Sequence, residues 1–285
     1  MNSARLTVSR WPADLSADAD HSDSLAIEEP LEIRIGGRSV AVTMRTPGHD
    51  RELAAGFLLT EGLIRRAADV LDILVCRDLP EGQAGNVVDA LLAPEVTVDF
   101  ARLTRHVFSS SSCGLCGKAT IDAVAHNFPA VPPGPQFTPA FLTALPARLR
   151  AAQPGFAATG GLHASALFSS AGKLLCLRED VGRHNALDKV LGWALLESRL
   201  PLRDTILLVS GRVSFELVQK ALAAGLPLIA GIGAPSTLAV ECARRGNLSL
   251  VGFLRADRFN VYCGAERVLA PRVDGVRPPG VPRTS

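Results

Sequence analysis

The strongest constraint on the fold is a regular alternation of short apolar runs and helical segments in the second half of the chain. Strand-length apolar runs that alternate with helices predict an α/β layer with substantially parallel strand pairing. In order along the chain, these segments are residues 185–196, 205–209, 216–224, 228–230, 237–244 and 248–253. Two more runs, at residues 164–168 and 173–177, flank a Ser-Ser-Ala-Gly turn and are expected to pair with each other.

The first half of the chain has a different pattern, which predicts a smaller α+β unit. Two runs that alternate apolar and polar residues, 31–35 and 40–44, lie on either side of Gly36-Gly37. This arrangement is typical of a β-hairpin. Apolar residues then recur at helical spacing between Leu53 and Leu63. Residues 86–100 have strand character.

These patterns divide the chain into two folded parts. A chain of 285 residues, 47% of them hydrophobic and 20% charged, is long enough to bury the core that such a division needs. The predicted division is a flexible tail at 1–29, an α+β unit at 30–107, a cysteine loop with a helix and a Pro-rich linker at 108–154, an α/β domain at 155–270 and a second flexible tail at 271–285.

Charge and apolar patterning exclude several classes of function. The formal net charge is only +2, from 30 basic and 28 acidic residues, so bulk electrostatic binding to nucleic acid or membrane is not expected. No apolar run reaches the length of a membrane span. Asp14, Asp18 and Asp20 lie where a signal peptide would need an apolar core. We therefore expect a cytoplasmic protein.

Two of the six cysteines, Cys113 and Cys116, lie close together in a loop rich in Ser and Gly. In a reducing compartment such a pair indicates redox work, metal binding or nucleophilic chemistry. The loop precedes a helical segment, and a helix N-terminus favours the thiolate. The pattern alone fits a disulfide oxidoreductase, half of a zinc site, a persulfide carrier or two small residues in a turn. His106 and His126 match no common zinc spacing, so no metal site is predicted.

Residues 179–189 follow a strand and begin a helix, which is where functional groups often collect in α/β proteins. Asp180 is expected either to cap this helix or to belong to a site. Arg183 and His184 at the helix start would suit an anionic ligand. A metal site made of Cys176, Asp180 and His184 is a weak alternative.

The loops after the next two strands are suited to phosphate. Backbone amides in the first loop, with Ser210 and Arg212, can hold a phosphate group. The loop lacks the Gly-Lys-Ser/Thr ending of a Walker A motif. In the second loop, Gly231 and Gly233 without a third glycine give a weak dinucleotide signal, and an ordinary tight loop explains them equally well.

The loop after the last predicted strand carries two arginines, Arg255 and Arg258. Phe253 or Phe259 could stack on a base. Because the carboxyl ends of parallel strands meet at one edge of a sheet, the three loops are expected to converge. Their convergence indicates a nucleotide-like ligand more strongly than any one loop does.

Taken together, these segments resemble the FdhD family, the formate dehydrogenase accessory sulfurtransferases. Each stretch alone is unspecific, but the ordered combination is specific. The matching stretches are residues 46–48, 56–62, 112–117, 159–163, 179–189, 209–220, 237–241 and 250–262.

The resemblance implies a function. Such proteins receive persulfide sulfur from a cysteine desulfurase and transfer it to the molybdenum bis-molybdopterin guanine dinucleotide cofactor, which formate dehydrogenase requires. It places the persulfide on Cys113, and Cys116 matches the second cysteine of the family loop. It also implies a homodimer. The cofactor contacts implied within the α/β domain, added to Ser210 and Arg212, are Phe253, Leu254, Arg255, Ala256, Asp257 and Arg258.

The resemblance further implies a fold similar to that of cytidine deaminases for the C-terminal layer. The chain lacks the deaminase zinc signature, so deamination is not expected. Cys263, where the family pattern leads us to expect Thr, adds a thiol near the implied cofactor site. Three alternatives stay open: a cofactor-binding chaperone without sulfur transfer, a thiol-disulfide oxidoreductase and a structural zinc module.

Overall fold

The computed structural model describes residues 3–9, 21–76, 84–100 and 128–269, which form a mixed α/β fold with three sheets. The strands are β1 (Ser3–Val8), β2 (His21–Ala26), β3 (Glu29–Ile35), β4 (Arg38–Arg45), β5 (Val70–Cys76), β6 (Val87–Leu92), β7 (His163–Ser169), β8 (Leu174–Asp180), β9 (Thr205–Val209), β10 (Leu228–Gly231), β11 (Ser249–Gly252) and β12 (Asn260–Cys263). The α-helices are α1 (Asp50–Thr60), α2 (Pro139–Ala151), α3 (Pro154–Thr159), α4 (Arg183–Leu196), α5 (Phe215–Ala223) and α6 (Thr237–Arg245). Single 3-10 turns cover Ala67–Asp69 and Ala265–Arg267.

The largest sheet has six strands in the order β12-β11-β10-β9-β7-β8. Strands β9, β10 and β11 are parallel, as the alternation of strands and helices predicts. Strand β7 is antiparallel to both β8 and β9, which confirms the predicted β7–β8 pair. Strand β12 and helix α3 are not predicted, because both are short and carry little apolar patterning.

The six-stranded sheet is covered on both faces, and strand β9 shows why its sequence reads as one apolar run. All five of its residues are buried. Leu207 and Val209 belong to the core that also contains residues of α4 and α5. Ile206 and Leu208 belong to a second core, with Phe137 and residues of α2. Because successive side chains point to opposite faces, a strand buried on both sides is almost entirely apolar, and the one polar residue of β9, Thr205, donates its hydroxyl to the Leu202 carbonyl at 2.9 Å.

The smaller sheet has the order β4-β3-β6-β5, and its hairpin β3–β4 around Gly36-Gly37 confirms the prediction. Leu31 and Ile33 of β3 are fully buried in the same core as Leu187 and Leu207. The small sheet and the large sheet therefore share one continuous hydrophobic core. The boundaries drawn for separate units remain a prediction.

Helices α1 and α4 make the closest contact between the two halves. A Cβ atom added to Gly56 of α1 would overlap the carbonyl oxygen of Asp188, and one added to Gly192 of α4 would overlap the carbonyl oxygen of Glu52. Each helix therefore packs its glycine directly against the other's backbone. This approach explains why both helices carry a glycine in their interior despite its low helix propensity.

Two segments of the first hundred residues differ from the sequence-based expectation. The predicted flexible tail at 1–29 contains an antiparallel ribbon, in which Ser3 pairs with Ala26. The ribbon is largely exposed, so its sequence lacks the apolar alternation that would have predicted it. The predicted strand at 86–100 ends at Leu92, before Pro94.

The Pro-rich segment before α2 is packed onto the large sheet rather than left as a free linker. The Val131 amide donates to the Gly246 carbonyl at 2.9 Å, and the Phe137 amide donates to the Arg267 carbonyl at 2.8 Å. Phe137 is buried in the second core. Proline content alone could not reveal these long-range contacts.

An ion pair joins α1 to β8. Arg178 Nε and Nη2 donate to the two carboxylate oxygens of Glu52 at 2.6 and 2.7 Å. Burial raises the pKa of the Glu52 carboxyl, but the bonds from Arg178 and His49 lower it by more, to about 2. A carboxyl whose folded pKa lies below its unfolded value stabilises the fold above the unfolded pKa and loses that contribution as the pH falls through the folded one.

Replacing Glu52 with glutamine is therefore expected to cost roughly 2–3 kcal/mol of unfolding free energy at pH 7. The difference from wild type should shrink below about pH 4.5 and become small near pH 2, where about half of the wild-type carboxyl is also neutral. Urea unfolding at pH 7, 4 and 2.5 measures it, with the exposed Glu95→Gln as control. An equal loss at all three pH values would contradict the role of the charge.

Candidate functional site

The ends of several strands line one edge of the large sheet, as the sequence predicts. The loops that follow β9, β10 and β11 lie side by side there. Because β7 runs antiparallel to its neighbours, its first residue, His163, lies at the same edge, and so does Asp180 at the end of β8. Ligands of open α/β sheets bind at such an edge.

The three loops are tied to one another through their backbones. The Gly233 amide donates to the Gly211 carbonyl at 2.9 Å, and the Phe253 amide donates to the Gly233 carbonyl at 3.0 Å. The Val213 amide donates to the Ala234 carbonyl at 3.0 Å. These amides are therefore occupied by protein carbonyls, and any ligand at this edge must be held mainly by other groups.

The predicted contacts after β11 differ in exposure. Phe253 has a φ of 50° and its side chain is 42% exposed. The ring is therefore presented to solvent at the edge. Leu254 is fully buried in the second core, so only its backbone can face a ligand. Arg255 Nη1 donates to the carbonyls of Ile232 and Leu254 at 2.6 and 2.9 Å, which fixes its guanidinium across the neighbouring loop.

The remaining residues of this loop are exposed. Ala256 lies at the tip. Arg258 pairs with Asp257 at 2.9 Å, and both side chains are largely in solvent. An exposed pair of this kind contributes little to stability, so Arg258 can exchange its partner for a ligand phosphate at low cost.

Ser210 and Arg212 follow β9. Ser210 Oγ accepts a hydrogen bond from the Ala164 amide at 2.9 Å, and the Arg212 side chain is exposed. Beside Ser210 opens a pocket of about 490 Å³. Its apolar walls and its polar end include Leu149, Phe156, Ile232, Gln153, His163 and Ser210. Arg150 lies over the Phe156 ring at 4.2 Å.

Asp180 does not cap a helix with its side chain, and its role is to join the two halves. It is fully buried, and Lys189 Nζ lies 2.7 Å from its Oδ2. Its Oδ2 also accepts a hydrogen bond from the Thr46 amide at 3.1 Å, and its Oδ1 accepts one from the Gly182 amide. Gly182 is the N-cap residue of α4. The charge of Asp180 is therefore neutralised within the fold.

The starts of α4 and α5 bring together polar side chains that the sequence does not connect. His184 Nε2 lies 2.6 Å from Glu216 Oε2. Buried polar atoms here have no hydrogen-bond partner among the described residues, which is unusual inside proteins. They are Arg183 Nε, Ser214 Oγ, Glu216 Oε1 and His184 Nε2, the last of which lies close to Glu216 Oε2 without the geometry of a hydrogen bond. Arg183 and His184 were predicted from the sequence, whereas Ser214 and Glu216 lie in the predicted phosphate loop but were given no role there.

His163 connects this group to the pocket. It was also missed as a candidate, although it ends the stretch 159–163 that matches the family. Its Nδ1 would lie 3.4 Å from a Cβ added to Gly211, so the ring packs against the loop after β9. Burial lowers the pKa of His163, and the positive charges of Arg183, His184 and Arg212 lower it further. The imidazole is therefore kept neutral in a positively charged setting.

Cys113 and Cys116 lie outside the described residues, as do His106 and His126. Among the described thiols, burial raises the pKa of Cys176 to about 12 and also raises those of Cys242 and Cys263. These three are poor nucleophiles at neutral pH. Within the described ranges no group of three or more metal-ligating side chains converges, so Cys176, Asp180 and His184 do not form a metal site.

The described part of the chain contains no helix with the length and apolarity of a membrane span. The fold is that of an α/β protein, and its candidate ligand site lies at the edge of the large sheet where the parallel strands end. The chain belongs to the FdhD/NarQ family, whose family model matches residues 26–269.

Relatives support the assignment over most of the chain. The chain is similar to the sulfur carrier protein FdhD of Mycolicibacterium paratuberculosis, with 52% identity covering 86% of this chain and 92% of the relative. Identity to the protein of that name from Mycobacterium tuberculosis is 50%, covering 92% and 98%. A solved structure assigned as a formate dehydrogenase accessory protein, from Desulfotalea psychrophila, has a TM-score of 0.74 at 25% identity, covering 94% of this chain and all of that one.

Proposed function

We propose that this protein is a sulfur carrier in the maturation of formate dehydrogenase. The observation that carries the proposal is the similarity to relatives named sulfur carrier protein FdhD, at about 50% identity over nearly their whole length. The solved structure assigned as a formate dehydrogenase accessory protein supports the same role.

In this proposal Cys113 is the carrier. Its thiolate attacks the terminal sulfur of a cysteine desulfurase persulfide. A new S–S bond forms to Cys113, the S–S bond of the donor breaks, and the donor cysteine leaves as a thiolate. The raised pKa values of Cys176, Cys242 and Cys263 make these three thiols poor nucleophiles and so support a carrier other than them. Cys116 is the second thiol of the loop, and the protein acts as a sulfurtransferase.

The proposed cargo is the molybdenum bis-molybdopterin guanine dinucleotide cofactor, bound as substrate at the edge of the large sheet. The exposed ring of Phe253 offers a stacking surface for the base. Arg212 and Arg258 are exposed and suited to phosphates. Arg255 instead donates a hydrogen bond to the Ile232 carbonyl and so joins two of the loops. We further propose a cytoplasmic homodimer with the C-terminal layer arranged as in cytidine deaminases.

Sulfur loading tests the proposal directly. Purified wild type, Cys113→Ala and Cys116→Ala are incubated with a cysteine desulfurase and cysteine, and intact masses are recorded. Wild type is expected to gain sulfur that reductant removes, because a persulfide is a reducible adduct. Cys113→Ala should gain none, and Cys116→Ala serves as the matched control from the same loop.

Two outcomes would contradict the carrier role. If wild type gained no sulfur, or if Cys113→Ala gained as much as wild type, Cys113 would not be the carrier. The alternative, a cofactor-binding chaperone without sulfur transfer, would then be preferred. It predicts that Cys113→Ala still supports formate dehydrogenase activity in cells.

A further inference from the structure

The starts of α4 and α5, with His163 and Arg212 beside them, carry a group of side chains of which the proposed function uses only Arg212. We infer that this group, here called the Arg183 cluster (His163, Arg183, His184, Arg212 and Ser214), binds a pyrophosphate group. It lies at the β9–β7–β8 end of the sheet edge, away from the loop after β11. Under the proposed function, on which this identification of the ligand rests, the occupant is the pyrophosphate of the dinucleotide cargo.

Two buried polar atoms of the cluster lack a hydrogen-bond partner. Arg183 Nε and Ser214 Oγ are buried and have no hydrogen-bond partner among the described residues. A buried donor left without a partner is destabilising by about 1–3 kcal/mol. The oxygens of a pyrophosphate would supply acceptors for both atoms, and phosphate is one of the two anions, with carboxylate, that guanidinium groups bind strongly.

Positive charge exceeds negative charge at this position. The buried carboxylate of Asp180 is paired with Lys189 at 2.7 Å, and the one acidic residue in the first turns of α4 and α5 is Glu216, whose Oε2 lies 2.6 Å from His184 Nε2. The positive charges of Arg183 and Arg212 are then left in excess at this position. That excess acts on His163, whose pKa is lowered by burial and by its three cationic neighbours.

The two helix starts also lack a side-chain cap. Gly182, the N-cap of α4, has no side chain, and the hydroxyl of Ser214, the N-cap of α5, accepts no hydrogen bond from the helix, although the carbonyls of both residues accept the ordinary intrahelical bonds. In α6, by contrast, Ser236 Oγ accepts one from the Ala239 amide at 3.2 Å. Ser214 is chemically able to cap α5 in the same way, yet its hydroxyl is left without a partner. Uncapped helix N-termini favour anions.

The position along the edge indicates how large the ligand is. Three strand spacings separate the end of β11, which carries Phe253, from the start of β7 at His163. Neighbouring strands lie about 4.8 Å apart, so the two sites are about 14 Å apart along the edge. The length of an extended nucleotide, from its base through the ribose to the pyrophosphate, is of the same order as this distance. A ligand with its base on Phe253 can therefore place its phosphates at the Arg183 cluster.

Glu216 adds a requirement for the ligand. Its Oε1 accepts no hydrogen bond from the described residues, so a donor beside the phosphates would complete the site. A ribose hydroxyl of a nucleotide supplies such a donor beside the phosphates, whereas inorganic pyrophosphate has no group outside its two phosphates. We therefore expect a pyrophosphate ester to bind more tightly than the free anion.

Calorimetric titration of the full-length protein with inorganic pyrophosphate and with GDP tests the inference. Wild type should bind both, and Arg183→Gln and Arg212→Gln should each weaken pyrophosphate about ten-fold or more, because each removes a charge-assisted contact. Arg203→Gln is the matched control, since Arg203 is an exposed arginine that precedes the same strand, β9, at its opposite end. It should bind pyrophosphate like wild type.

A Phe253→Ala variant separates the two sites, because it should weaken GDP and leave pyrophosphate binding unchanged. The inference is wrong if wild type shows no saturable pyrophosphate binding, if Arg183→Gln binds as wild type does, or if Arg203→Gln loses as much. If circular dichroism shows that Arg183→Gln is unfolded, the exposed Arg212 decides the question. Sulfur loading of Arg183→Gln should be normal, so failure of the carrier role and failure of this site give different results.

Discussion

Replacing Gly56 with alanine is expected to lower the unfolding free energy by more than about 3 kcal/mol, at the upper end of overpacking effects. The added methyl group would overlap backbone atoms of Asp188, and backbone cannot move aside as a side chain can. Helix α1 would have to shift away from α4 and open the shared core. Gly192→Ala should behave alike, because it meets the backbone of Glu52 at the same crossing.

The opposite expectation comes from helix propensity alone, which favours alanine over glycine by up to about 1 kcal/mol. Chemical denaturation of wild type, Gly56→Ala and Gly192→Ala distinguishes the two. Gly161→Ala is the control, because its added methyl would meet atoms only at ordinary contact distances of 3.6 Å or more. A Gly56→Ala protein at least as stable as wild type would show that the helices are not in direct backbone contact.

Replacing Lys220 with methionine is expected to cost about 3–5 kcal/mol of unfolding free energy, the usual effect of breaking a buried ion pair. Lys220 Nζ donates to both carboxylate oxygens of Asp188 at 2.9 Å and to Thr60 Oγ1 at 2.7 Å. Burial alone would lower the pKa of Lys220, but the attraction of Asp188 raises it above its usual value. Methionine would leave the buried carboxylate of Asp188 without a counter-ion.

The double variant Lys220→Met/Asp188→Leu identifies the cause. If the cost of the single change is the unpaired carboxylate, removing that carboxylate should recover at least half of the lost stability, as apolar replacements of buried pairs often do. Urea unfolding at pH 7 measures all three proteins, with the exposed Lys173→Met as control. A double variant less stable than the single would show that packing, rather than charge, dominates.

The local elements of this fold can be predicted from the sequence, whereas the contacts between residues distant in sequence cannot. The β3–β4 hairpin follows from alternation around Gly36-Gly37, and the parallel strands follow from apolar runs between helices. The bond between Lys220 and Thr60 joins residues 160 positions apart, and nothing in either segment indicates the other. The β1–β2 ribbon escaped prediction because an exposed pair of strands needs no apolar face.

The same distinction holds for the candidate site. Convergence of the three strand-end loops follows from parallel pairing, and Arg183 and His184 were recognisable as charged residues at a helix start. The pairing of His184 with Glu216 was not, since it depends on how α4 and α5 are placed across the sheet. The sequence also could not show that the Gly233 and Phe253 amides are consumed by neighbouring loops.

The mutual bonding of those loops has a consequence for recognition. Loops that are already tied together need not be ordered when a ligand arrives, so little of the interaction free energy is lost to immobilising backbone. Discrimination between ligands then depends on a few side chains that project from these loops, whose backbones form a fixed rim. Exchanging those side chains should change which ligand is preferred while leaving the rim intact, so selectivity and stability can be altered separately in this protein.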